Sequence, residues 1–279
     1  MTICARVIAD SLDPKNARVI TFELEYPRFI HSEFMTHRVF SRNASSSRAI
    51  PIKKMLKLVR TNMATPIHWG AKQSGMQADN QLSGWKKWLA RKLWKSTGYI
   101  VSYMVQLMDM FGLHKQVANR MLEPWSHIKV VMTSTMLENW FELRDHKDAQ
   151  PEIKELAVQM KLAMKHSKPV SLKWGEWHLP YVTDIDRKEH DLETLIQIST
   201  TACAQVSYRI LDTTVEKVRR VFSMLINSDI VHASPFEHPC RATKSGGSGN
   251  FSNTNWKQYR FYIERKIDPP LDIPDYNNT

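Results

Sequence analysis

Cysteine is scarce in this chain: Cys4, Cys203 and Cys240 lie far apart, with no C-x-x-C pair among 279 residues. Odd in number and scattered, they form no complete disulfide set, so a reducing, cytoplasmic compartment is expected. Long apolar runs are also missing. The most apolar stretch, Tyr99 to Phe111, is cut by Ser102, Gln106 and Asp109 and is too short and polar to span a bilayer. The opening MTICARVIADSLDPK has no sustained apolar core behind a basic start, so no signal peptide is expected. No G-x-G-x-x-G opens a helix after a strand and no G-x-x-x-x-G-K-[ST] occurs, which argues against Rossmann and P-loop sites. No cysteine has a convincing nucleophile context.

What is present is an ordinary globular composition, with 42% hydrophobic and 24% charged residues in 32.5 kDa. That is enough for one large domain or two small ones with a substantial core. Net charge is +11 and the pI near 9.5, which favours anionic ligands, either nucleic acid or phosphorylated small molecules. The basic residues are scattered and no run resembles a nucleic-acid tail, so a solvated basic surface is at least as good an account.

Arg18 to Tyr26 alternates apolar and polar side chains and reads as a half-buried strand. Pro27 stands where a helix could start, with Ile30, Phe34 and His37 at helical spacing. Ser41 to Arg48, rich in Ser and Asn, reads as a loop, and residues 50 to 85 show little periodicity. Helical patterns cover Trp85 to Phe111, a start near Lys115, a stretch from Pro151, Asp191 to Ala204, and Val215 to Ile226. Thr135 and Glu138 form a capping-box pattern, and Trp256 to Ile263 reads as a short strand. With no repeat and no low-complexity linker, one α+β domain is the simplest account.

Two features carry chemistry. Thr36 to Arg48, T-H-R-V-F-S-R-N-A-S-S-S-R, sets hydroxyls and backbone N–H groups beside arginines, as an oxyanion cradle requires. A surface loop capped by its own serines fits the local pattern better. Arg144 falls on the apolar stripe of Leu137, Trp140 and Phe141, where a guanidinium must snorkel, pair, or face a ligand pocket. Ser234 to His238 could start a helix with Ser234 as cap. His232, His238, Glu237 and Asp229 match no common metal spacing, so no metal is expected.

The same stretch, with His37, Arg38, Ser41, Asn43, Ser46 and Arg48 in register, resembles the R-H-R-x-x-S-x-N-x-x-S-x-R signature of the flavin-dependent thymidylate synthases. Asn139 to Ile153 is similar to that family's N-F-L-x-L-R-x-x-x-x-A-Q-x-E-I block. Arg120 to Pro124 is similar to its R-x-x-L-P start, with Glu123 in place of Leu. Cys203 to Tyr208 and His232 to His238 resemble A-R-V-S-F and H-x-T-P-F-E-H, which the family places before the signature. The order here is therefore expected to be circularly permuted.

The resemblance implies an α+β fold, with a mixed or antiparallel sheet and a long-helix bundle. It implies one domain over residues 1–279, with 18–180 as the signature and helical part and 191–265 as the permuted segment. It further implies a homotetramer with sites between subunits and no membrane or nucleic-acid partner. The expected reaction is methylation of dUMP to dTMP with FAD, NADPH and methylenetetrahydrofolate. His37, Arg38, Asn139 and Ser234 would contact FAD, Thr36 stands at a flavin and nucleotide position, and His232 would lie near the flavin. Ser45, Ser46, Arg48 and Arg120 would hold the nucleotide with Glu33, and Arg144 would bind the pyrimidine edge and stabilise charge there. Thr36 for arginine, Ala44 for glutamate and Glu33 for glutamine are departures on the nucleotide side. They leave open another pyrimidine nucleotide, such as dCMP, or hydroxymethylation. A basic nucleic-acid-binding protein on this scaffold is the distant alternative.

Overall fold

The computed structural model describes residues 3–207, 212–227 and 230–269. Tyr208, Asp229 and the tail beyond Pro269 lie outside the described residues. Strands β1 (Cys4–Leu12) and β2 (Arg18–Pro27) pair antiparallel. The alternation read in β2 is a true division of faces: Ile20, Phe22, Leu24 and Tyr26 are buried in the main apolar core. Thr21, Glu23 and Glu25 take the opposite face. After a 3-10 turn comes the short helix α1 (His31–Met35), ending before His37.

The serine-rich stretch is not simply a loop. Ser41–Ala44 is strand β3, bonded antiparallel to β4 (His127–Ser134), which itself pairs with β2. Its side chains are poor strand formers, yet the β4 ladder satisfies the backbone and overrides propensity. Between them run α2 (Ile52–Thr61), α3 (Gly84–Met110) and α4 (Lys115–Ala118). Helix α2 falls where little periodicity was expected, and buries Ile52, Met55, Leu56 and Val59 against α3. At Gly98 of α3, a Cβ would sit 2.7 Å from Met63 Cε and 2.8 Å from Trp125 Cδ1, so only glycine allows this close approach.

Helix α5 is Glu138–Arg144 and α6 is Pro151–His166. The expected capping box does not form. The helix starts at Glu138 itself, whose carboxylate accepts from Leu137 N (3.1 Å), and Thr135 Oγ1 is buried with no hydrogen bond among the described residues. Helix α6 lays Ile153, Leu156, Ala157 and Met160 on the sheet. Strand β5 (Val170–Ser171) closes the five-stranded order β3-β4-β2-β1-β5, parallel to β1.

The remaining elements are β6 (Trp177–His178), α7 (Asp186–Glu189), α8 (Leu192–Ala204), α9 (Val215–Ile226), β7 (Cys240–Ala242), β8 (Trp256–Gln258) and α10 (Tyr259–Arg265). Strands β6, β7 and β8 form a second, antiparallel sheet, while α8, α9 and α10 share an aromatic-rich core. The segment read as one strand from Trp256 to Ile263 is thus a strand that turns into a helix at Tyr259. Among the described residues, no helix is long and apolar enough to cross a membrane.

On the sheet face away from α6 runs a buried polar chain. Ser11 Oγ lies 2.9 Å from His178 Nδ1, and His178 Nε2 lies 2.8 Å from Thr21 Oγ1. Thr21 Oγ1 lies 2.7 Å from Thr133 Oγ1, which lies 2.8 Å from His238 Nδ1. Burial pushes both imidazoles down to about 3, so each stays neutral.

Candidate functional site

Two of the expected blocks meet at the ends of α1 and α5. Arg144, in the last turn of α5, donates from Nε to His37 Nε2 (3.0 Å) and from a terminal nitrogen to Thr36 Oγ1 (3.3 Å). Of the three fates open to this guanidinium, pairing is the one observed. His37 is buried, its ring edge-on to Trp140 at 4.7 Å and stacked beside Phe40 at 5.7 Å. Burial, then the charges of Arg144 and Arg42, lower its pKa. An imidazole accepting at Nε2 is the neutral form, and both arginines favour it.

Arg42 is not available to a ligand in the same way. Its guanidinium donates to the carbonyls of Phe34, Met35 and His37, holding the backbone at the end of α1. Glu33, half-buried, has its carboxyl raised by burial, an effect that Arg144 opposes and Glu152 reinforces. Its Oε2 is buried with no hydrogen bond among the described residues.

The serine loop forms a second group. Ser45 extends the β3–β4 ladder, bonding Lys129 in both directions (2.8 and 3.1 Å). Ser46 Oγ accepts from Arg48 N (3.3 Å) and caps a 3-10 turn. Ser47 Oγ donates to Glu123 Oε1 (2.7 Å), which also pairs with Arg120 (3.1 Å) and Arg28 (3.6 Å). Asn119 Nδ2 donates to the carbonyls of Ser47 and Ile50, both at 2.8 Å. Two guanidinium groups thus share one carboxylate, and the exposed Arg48 adds further positive charge without an ion pair among the described residues.

The third group joins distant sequence. Asn43 donates to Cys203 O (2.7 Å) and accepts from Ser234 Oγ (2.9 Å). Ser234 is therefore no helix cap; it lies inside a 3-10 turn, Ser234–Glu237. Asn250 and Gln258 both donate to Ser41 Oγ, at 3.1 and 2.8 Å. The C-terminal segment, whose contribution the sequence left open, braces the strand that carries the signature. Glu237 pairs with Arg260, and His238 with Thr133, which accounts for two of the residues considered for a metal.

Arg38, Asn139 and His232 are exposed and take no part in these hydrogen-bonded groups. Glu123 and Asn119 were missed as loop anchors. Their only signal was an acidic residue where the resembled motif has leucine.

Residues 12–170 match the family model described as thymidylate synthase complementing protein. The search of curated proteins returns no match. Among solved structures, a UMP/dUMP methylase from Streptomyces cacaoi bound with 5-Br UMP is 16% identical, with a TM-score of 0.49 over 58% of this chain and 88% of that one. The same methylase bound with 5-Br dUMP is 15% identical, with a TM-score of 0.47 over 58% and 90%.

Proposed function

Because the chain belongs to the thymidylate synthase complementing protein family, we propose that it is a flavin-dependent thymidylate synthase, methylating dUMP to dTMP with methylenetetrahydrofolate and NADPH. The observation that carries this reading is the bond from Arg144 to His37, which joins the two signature blocks into one polar surface.

The donor set fits a flavin dinucleotide. Arg38 is a cation without an ion pair among the described residues, Asn139 and Ser234 are exposed polar groups, and Glu33 Oε2 is a buried acceptor in want of a donor. In this proposal Thr36, His37, Arg38, Asn139 and Ser234 hold FAD, with His232 beside it. FAD, when bound, carries the reducing equivalents from NADPH to the one-carbon unit. Ser45, Ser46 and Arg48 receive the nucleotide phosphate, with Arg120 drawn from Glu123 to assist. Arg144 keeps its guanidinium fixed by His37 and Thr36, so it stabilises negative charge developing on the pyrimidine without first reorienting. His37 stays neutral and leaves that charge undiluted.

The proposal includes a single domain in permuted order and a homotetramer with sites between subunits. Val19 at the start of β2 shares an apolar cluster with Cys240 and Ala242, just after the P-F-E-H block. That proximity supports a chain whose ends were joined and reopened.

A second reading follows from Glu33. An ionised carboxylate only accepts, and cytosine offers its exocyclic amino group as a donor, so dCMP or another pyrimidine nucleotide is the alternative substrate. The experiment is a visible spectrum of the purified protein, followed by product analysis with dUMP and dCMP under reducing, folate-supplied conditions. Flavin absorbance with dTMP formation supports the first reading, and turnover of dCMP alone supports the second. A colourless protein that takes up no FAD would overturn both and favour the nucleic-acid-binding alternative.

A further inference from the structure

The second sheet sets like charges against each other. Arg241 in β7 stands directly opposite Lys257 in β8, so both side chains leave the same face. That face points away from the apolar cluster of Cys240, Ala242 and Trp256. Two cations directly opposed on neighbouring strands destabilise a sheet. Arg265, at the end of α10, brings a third. Its guanidinium lies 4.2 Å from the centre of the Phe261 ring, and Lys257 Nζ lies 4.7 Å from the same point. Burial, then Arg265 and Arg241, lower the pKa of the Lys257 ammonium. Among the described residues neither Lys257 nor Arg265 makes an ion pair, and Glu237 and Glu264 are both held by Arg260.

Beside these cations runs the Gly/Ser-rich loop from Ser245 to Gly249. A Cβ at Gly247 would strike Phe251 O and sit 2.7 Å from Trp256 O, so this loop is pressed against the turn that leads into β8. The close approach puts Ser245 next to Lys257, whose Nζ donates to Ser245 Oγ (2.8 Å). That hydroxyl also pairs with Thr243 Oγ1 (2.9 Å). We infer that Lys257, Arg265 and the Ser245 hydroxyl, with the buried Arg241 adding its charge, bind a phosphoryl group. Ammonium and guanidinium groups give charge-assisted hydrogen bonds to phosphate oxygens, and a serine hydroxyl can donate as well as accept. A dianion set among like charges turns their repulsion into attraction. The site shares no residue with the serine loop to which the nucleotide phosphate is assigned. It also lies beyond residues 12–170, the part of the chain that the family model matches.

This inference does not depend on the proposed chemistry, because its test reads lysine reactivity instead of turnover. The full chain is labelled with limiting acetic anhydride at constant ionic strength. Mass spectrometry then compares Lys257 with Lys188, an exposed lysine of α7. Saturating inorganic phosphate should slow labelling of Lys257 about tenfold and leave Lys188 unchanged. Arg265→Met keeps a long stem against Phe261 but removes one charge. It should raise the phosphate concentration needed for protection about tenfold, while the melting temperature without phosphate holds or rises. Protection by NADPH but not by NADH would uphold the site and assign it to a 2′-phosphate. Protection by inorganic phosphate and by neither dinucleotide would uphold it as a site for the free anion. Labelling of Lys257 that neither phosphate nor NADPH slows would overturn the inference. Equal protection by sodium chloride would overturn it too, since screening alone would then account for the effect.

Discussion

Arg144 and His37, 107 positions apart in sequence, are joined by a 3.0 Å hydrogen bond in which the arginine donates to a neutral imidazole. The bond ties the end of α5 to the turn after α1 and sets the direction of the guanidinium. Arg144→Ala is expected to lower turnover by about 10²-fold or more while FAD content stays near that of the parent. Lysine, lacking the planar fork, should restore little. Single-turnover rates and flavin absorbance check this, and full activity in the alanine variant would remove Arg144 from the site.

His37→Ala removes a ring packed on Trp140 and Phe40 as well as the acceptor for Arg144. Flavin should be lost first, with a stability cost of about 2 kcal/mol from the cavity and the unpaired guanidinium. Chemical denaturation and flavin content measured on one preparation separate the two effects. Retention of full flavin occupancy would count against the assigned role.

Glu123 gathers Ser47, Arg120 and Arg28 around one carboxylate. Glu123→Ala strands the buried Ser47 hydroxyl and the half-buried Arg28, at an expected cost of about 2 kcal/mol. Its kinetic signature should be a raised nucleotide KM with a smaller change in kcat, since the loop's placement is what is lost. An unchanged KM would show that the phosphate lies elsewhere.

Stability should fall as the medium is acidified. His178 and His238 titrate near 6.5 in the unfolded chain but are pushed down to about 3 by burial in the fold. Below 6.5 the unfolded state therefore binds protons that the folded state refuses, and stability declines from about pH 6.5 toward 3. Urea midpoints over that range should drop less steeply for His178→Asn than for the parent. Equal slopes would mean that His178 does not govern the decline.

Asn43→Ala should loosen the seam between β3 and the segment from Cys203 to Ser234, at a cost of about 1 kcal/mol per lost hydrogen bond. Protease cleavage rates between residues 203 and 240 are the sensitive readout. Rates equal to those of the parent would show that Asn43 does not hold the seam.

The elements that sequence announced are those in which one chain segment carries its own pattern. Strand β2 alternates cleanly, and α6 shows its stripe from Ile153 to Met160. Helix α2 had such a stripe too, in Ile52, Met55, Leu56 and Val59, but it lay in a stretch that read as mixed. Strand β3 carried no such signal, because its hydrogen bonds come from β4, some 90 residues later. The same limit applies to the site. The residue types of the signature were readable, whereas Arg144 on His37 and Glu123 on Ser47 and Arg28 exist only once distant segments are folded together.

The buried chain from Ser11 to His238 has a consequence for proton order. Two neutral imidazoles and three hydroxyls must share four contacts, and every hydroxyl proton finds an acceptor within the chain only if all bonds point the same way along it. Both rings then adopt the same tautomer, although they lie 60 positions apart. That condition is met with the protons on Nε2, where Ser11, Thr21 and Thr133 all donate along the chain and the Nε2–H of His238 is the group without a partner among the described residues; with the protons on Nδ1, Ser11 would have to donate outside the chain. The back of the sheet therefore carries a direction, and reversing one ring requires reversing the other.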